Sequence, residues 1–96
     1  SGRLGRGMSE TKITVINPLG LHARPAAKLV ECASRFSSDI KLGYQEKDID
    51  AKSIMSVLML AATMGAELTL SVTGEDEVAA RVAVEQLFAS GFGELT

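Results

Sequence analysis

The stretch ELTLSVT, Glu67–Thr73, decides the fold: Leu68, Leu70 and Val72 alternate with Glu67, Thr69, Ser71 and Thr73. A strict period of two predicts a strand with one face on a core and the other wet, which favours an antiparallel or mixed sheet over a buried parallel one. Working outward, Asp39–Tyr44 repeats the pattern, with Ile40, Leu42 and Tyr44 on one side. A short polar turn, 45–47, leads into a weaker strand around Ile49 and Ala51. A weakly alternating stretch, 12–16, places Ile13 and Val15 on one face.

Between these strands the period changes to that of a helix. In 25–36, Ala26, Leu29, Val30, Ala33 and Phe36 form an apolar stripe, with Lys28, Glu31 and Arg35 outside it. In 76–90, Ala80, Ala83, Val84, Leu87 and Phe88 do the same. Glu75, Asp76 and Glu77 suit the positive end of that helix dipole, and Gly91 suits its exit. A third helix is expected over 53–65. The order β-α-β-β-α-β-α predicts an α/β (α+β) fold, a two-layer sandwich with three helices on one face of a four-stranded sheet. Residues 8–96 read as one domain, without repeat or linker. The Gly- and Arg-rich leader, 1–7, reads as an expression remnant, with Met8 as the expected native start.

The middle helix, SIMSVLMLAATMG, has more apolar residues than one stripe can hold. Val57, Leu60, Ala61 and Met64 make one face, and Ile54, Met55, Leu58 and Ala62 make another. A short helix on a small sheet buries one face, so the other is expected at solvent or against a partner. Methionine suits such a surface because its chain is flexible and polarizable. Ser53 stands at the start of this helix, where serine is a favoured N-cap. Phosphorylation of Ser53 is compatible with that position, because a helix start accommodates a phosphate.

Composition narrows the function. The 96 residues carry a formal net charge of −2, which argues against a nucleic-acid partner, as does a content of one tyrosine and three phenylalanines. The single cysteine, Cys32, allows no intrachain disulfide and no cysteine-based metal cluster, and reads as an inert helical thiol. No apolar run reaches the length of a membrane span, and a soluble cytoplasmic monomer without cofactor or metal is expected.

His22 is the only histidine. It lies in NPLGLHARPAAKLV, 17–30, where a loop turns into a helix. One imidazole nitrogen is a nucleophile near neutral pH while the other is held by a hydrogen bond. A phosphoryl group on the ring would meet the free N–H groups and positive dipole of the helix start, with Arg24 adding charge-assisted hydrogen bonds. Pro25 loses nothing in a first turn, and Gly20 permits the tight bend before it. A lone loop histidine is also a common residue with no special role, and residue chemistry alone leaves both readings open.

GLHARPAAKLV and AKSIM, in this order, resemble the active-centre and regulatory-serine signatures of the HPr family, the histidine-containing phosphocarriers of the bacterial phosphoenolpyruvate-dependent phosphotransferase system. The likeness extends over 8–96, through GAELTLSVTGEDE. It implies an open-faced β-sandwich whose four strands are antiparallel. It implies that His22 accepts phosphate from enzyme I through the ring nitrogen nearer the backbone and passes it to an EIIA-type protein, steadied by Arg24. Ser53 matches the serine phosphorylated by HPr kinase/phosphorylase in bacteria that have it, and Ile54, Met55 and Leu58 match the partner-facing patch. Leu19 and the tail LFASGFGEL resemble the nitrogen-related branch more than the sugar-transport branch. Such a protein catalyses no turnover reaction. A regulatory docking module controlled at Ser53 is the alternative function. A carrier with a prosthetic group on Ser53 is disfavoured, because familiar carriers of that kind are helical bundles.

Overall fold

The computed structural model describes residues 8–95, and the reading of 1–7 lies outside them. The chain forms β1 (Met8–Thr14), α1 (Ala23–Ser34), β2 (Asp39–Tyr44), β3 (Lys47–Asp50), α2 (Ile54–Leu60), β4 (Glu67–Thr73) and α3 (Glu77–Ala89), then a 3-10 turn, Gly91–Gly93. The four strands lie in the order β1-β4-β2-β3, every pairing antiparallel. Three helices pack on one face of the sheet, so the expected order and architecture hold.

The alternating stretch is the inner strand β4, and the register explains its pattern. Leu70 faces Leu42, Val72 faces Ile40, and Leu68 faces Ile13. All six belong to the buried core beneath the helices. A fully buried aliphatic side chain of this size contributes ~1.5–3 kcal/mol. Lys12, Asp39, Lys41, Glu67 and Thr73, on the alternate positions, are exposed. From the helices, Leu29 and Ala33 of α1, Val57 and Leu60 of α2, and Ala80, Val84 and Phe88 of α3 complete the core.

Where the boundaries differ from expectation, hydrogen bonding gives the reason. β1 starts at Met8 rather than 12, because its polar residues pair with β4 through the backbone, Met8 opposite Thr73. The turn between β2 and β3 has only Gln45 and Glu46 at its tip, with φ of 48° and 66°. Left-handed conformations at both positions match the twist of a two-residue hairpin. The largest difference is α2, which stops at Leu60 instead of continuing to 65. Ala61 takes a left-handed conformation, φ 52°, and its N–H bonds the Leu58 carbonyl. Beyond it the Ala62 carbonyl accepts from Leu21 N at 3.0 Å, and Ala66 O accepts from Val15 N at 2.9 Å. The segment after Leu60 thus spends its backbone on the loop that follows β1. The two stripes of the longer helix hold only as far as Leu60: Ala61 and Met64 are exposed, while Ala62 is buried.

Candidate functional site

The loop between β1 and α1 opens with a β-turn over 17–20, closed by Gly20 N on Asn17 O at 3.1 Å. Pro18 at its second position and Gly20 at its fourth are favoured there. Gly20 has φ 68°, and a Cβ on it would overlap the Ala62 carbonyl oxygen. Glycine therefore lets the turn press against the exit of α2. Asn17 is fully buried, and its side-chain amide donates to Gly20 O at 2.8 Å.

His22 is the N-cap of α1, which starts at Ala23, two residues before the expected start at Pro25. Its backbone is extended, φ −77° and ψ −169°, and its carbonyl takes the first helical hydrogen bond, from Ala26 N at 2.9 Å. Its side chain does not cap the helix, and no acidic residue stands in the first turn. Among the described residues, the N–H groups of Ala23 and Arg24 have no backbone acceptor, and Pro25 has no N–H to satisfy. The positive end of a twelve-residue helix is therefore left open beside the imidazole. Arg24 is exposed in the same turn.

The imidazole is half-buried and points to the far end of the chain. Its Nε2 lies 3.1 Å from both carboxylate oxygens of Glu94. A carboxylate only accepts, so Nε2 is the nitrogen that carries hydrogen here, and in the neutral ring the lone pair is left on Nδ1, the nitrogen nearer the backbone. Asn17 Nδ2 donates to Glu94 Oε1 at 3.0 Å. Hydrogen bonds from Asn17 and His22 hold the Glu94 carboxyl below the usual carboxylate range, with the charge of Lys28 helping. Lys28 Nζ donates to Phe92 O at 2.7 Å, which fixes the 3-10 turn that brings Glu94 back to the loop. Glu94, Asn17 and Lys28 were missed by sequence reasoning. Glu94 is 72 residues from His22 in the chain, and the glycines flanking Phe92 were the only sign of a tight return.

The other singled-out residues lie on and beside α2. Ser53 is its N-cap, with Oγ accepting from Ser56 N at 3.3 Å, and Lys52 Nζ reaches Phe36 O at 2.8 Å. Ile54 (41 % exposed), Met55 (67 %), Leu58 (36 %) and Met59 (67 %) face outward, while Val57 and Leu60 face the core. The exit of α2 hydrogen-bonds the histidine loop, so this apolar face and the imidazole share one end of the molecule. Cys32 is buried between α1 and α3, and burial pushes its thiol up. Among the described residues no cluster of metal-binding side chains occurs, and no helix is long and apolar enough to cross a membrane.

The chain matches the family model for the PTS HPr component phosphorylation site over residues 9–90. It is 47% identical to the phosphocarrier protein HPr of Cupriavidus necator over 87 residues, 91% of this chain and 98% of that protein. An HPr crystal structure from Thermoanaerobacter tengcongensis superimposes with a TM-score of 0.88 at 43% identity, covering 92% of this chain and 99% of that one. A crystal structure of an HPr dimer from the same organism superimposes with a TM-score of 0.73 at 47% identity, over 78% of this chain and 86% of that one. With likeness on this scale in sequence and in backbone, the chain belongs to the HPr family, phosphocarriers of the phosphotransferase system rather than catalysts.

Proposed function

We propose that this phosphocarrier takes its phosphoryl group on His22 Nδ1 from enzyme I and delivers it to an EIIA-type protein. The observation that carries the reading is the uncapped start of α1, where His22 and Arg24 stand beside free N–H groups. Transfer is an in-line displacement in which the protein's contribution is position and charge. The helix dipole, the first-turn N–H groups and the Arg24 guanidinium share the charge of the bound phosphoryl group. Ile54, Met55 and Leu58 form the face that meets donor and acceptor, supported by their exposure at the same end of the fold. The protein works as a cytoplasmic monomer, with Leu19 and the 87–95 tail pointing to the nitrogen-related branch.

Intact mass after incubation with phosphoenolpyruvate, magnesium and a bacterial enzyme I tests the carrier role. One added phosphoryl group that mild acid removes and that His22→Ala prevents is the expected result. Uptake by the alanine variant would overturn the assignment to His22.

The exposed methionines and leucine of α2 favour a second reading, a regulatory docking module in which Ser53 is phosphorylated by HPr kinase/phosphorylase. A phosphate on Ser53 would add charge at the edge of the docking face and weaken exchange at His22. Ser53→Asp is expected to slow phosphorylation of His22, and equal rates in the two proteins would count against a regulatory Ser53. Sedimentation at several concentrations checks the monomer against the dimer known for a relative.

A further inference from the structure

Glu94 lies in the tail 87–95, outside the two signatures around His22 and Ser53, yet it makes the closest polar contact to the ring of His22. We infer that Glu94 is a positioning residue for phosphoryl transfer, a role that rests on the carrier reading of His22. Its carboxylate keeps the hydrogen on Nε2 and balances the positive charge the ring gains when Nδ1 bonds phosphorus.

The chain goes to some length to place this carboxylate. After α3 it reverses through Gly91, Phe92 and Gly93, all with φ between 57° and 77°. Left-handed backbone at a phenylalanine is uncommon and persists only where surroundings hold it. Here Phe92 is buried against Phe88, with ring centroids 4.8 Å apart, and Lys28 of α1 grips the Phe92 carbonyl. The buried amide of Asn17 donates one hydrogen to the turn before His22 and one to Glu94. Turn, carboxylate and imidazole are thereby set relative to one another. The charged groups around the ring are Glu94 across it, Arg24 in the first turn of α1 and Lys28 one turn further on. Among the described residues Glu94 is the acid of this group, and its hydrogen bonds keep it ionised.

The transfer balances without a mobile proton. In acceptance the Nδ1 lone pair attacks phosphorus, the Nδ1–P bond forms, and the bond from phosphorus to the donor breaks with its electron pair leaving on the donor. The ring now carries a positive charge with the hydrogen still on Nε2, facing Glu94. In donation the Nδ1–P pair returns to Nδ1 and the ring leaves as neutral imidazole. A cationic ring is the better leaving group, so a carboxylate that sustains it speeds both steps. The same effect shortens the life of the phosphorylated form in water.

Glu94→Gln keeps size and removes charge, and its amide can donate to Nε2, which favours hydrogen on Nδ1 and blocks the nucleophile. In alkaline buffer, where imidazole is neutral, nitrogen NMR of the native ring is expected to show hydrogen on Nε2. The glutamine variant is expected to move a substantial share to Nδ1, with unchanged melting. Phosphoryl uptake from enzyme I should slow by roughly tenfold or more, and the phosphorylated variant should lose its group to water more slowly. A native ring with hydrogen on Nδ1 overturns the inference without any variant. Equal tautomers, uptake and decay in the two proteins overturn it as well. A native ring with hydrogen on Nε2 in a protein that takes up no phosphate overturns the carrier reading instead.

Discussion

The start of α1 and the start of α2 are both set by a residue in extended conformation, His22 and Ser53, and they are finished in opposite ways. Ser53 turns its hydroxyl onto Ser56 N and closes its helix. His22 turns its side chain away to Glu94 and leaves its helix open. The start of α3 shows a third solution. Asp76 does not cap its own helix but accepts from Ser37 N and Ser38 N, both at 2.9 Å, and from the Ser38 hydroxyl. A closed start adds stability, a cross-linking start ties distant segments, and an open start has room for an anion. The difference lies in where one side chain points.

The largest way to break the contrast is at His22 itself. His22→Ala is expected to abolish phosphoryl uptake by mass while leaving the melting temperature within a degree or two, because the imidazole is half-buried on the rim and not part of the core. Gly20→Ala attacks the loop instead. A Cβ at φ 68° against the Ala62 carbonyl combines strain with overlap, and the expected loss is about 3 kcal/mol. Calorimetry should show a fall on the order of 10 to 20 °C, and a native melting point would mean that the turn and the α2 exit are not pressed together.

Arg24→Ala sharpens the comparison at the open end. Loss of one charge-assisted contact to the phosphoryl group should slow uptake by roughly 10- to 100-fold with melting unchanged. At the cross-linking end, acid is the probe. The hydrogen bonds from Ser38 and Ser37 lower the Asp76 carboxyl from 3.8 to about 2. Its contribution is therefore complete above about pH 3.8 and disappears as the pH falls towards about 2. Asp76→Asn should flatten that part of an acid titration followed by circular dichroism, and an unchanged acid limb would refute the link. The smallest effect belongs to the closed end. Ser53→Ala removes a cap with a long 3.3 Å bond, which should cost about 0.5 to 1 kcal/mol and leave uptake at His22 intact.

The sequence was most legible where one periodicity governed a whole element. β2 and β4 have the bounds their alternation predicts, and α3 begins at Glu77, the last of its three leading acids, and ends before Gly91. β1 was only partly legible, because an edge strand with polar residues is defined by what it pairs with. The C-terminal half of the expected middle helix failed for a related reason. Ala61, Ala62 and Met64 are good helix formers, but the histidine loop and the end of β1 use the carbonyls and N–H groups of this segment, and Gly65 favours its departure from the helix. His22 and Arg24 stood out because loop, proline and helix adjoin them in sequence. Glu94 did not, because only the closing of the chain after α3 brings it to the ring.

The lone cysteine gives this fold an internal clock. Cys32 is 6 % exposed between α1 and α3, and burial disfavours its thiolate. The thiol sits at the floor of a groove lined by Glu31 and Arg35 of α1 and Ala83 and Leu87 of α3, so an alkylating reagent is expected to react slowly in the packed state and faster when the helices part. In the fast-reclosing limit, the labelling rate divided by that of an unfolded control reports how often they part. The carrier can thus be timed with its surface unchanged, before and after the phosphoryl group arrives.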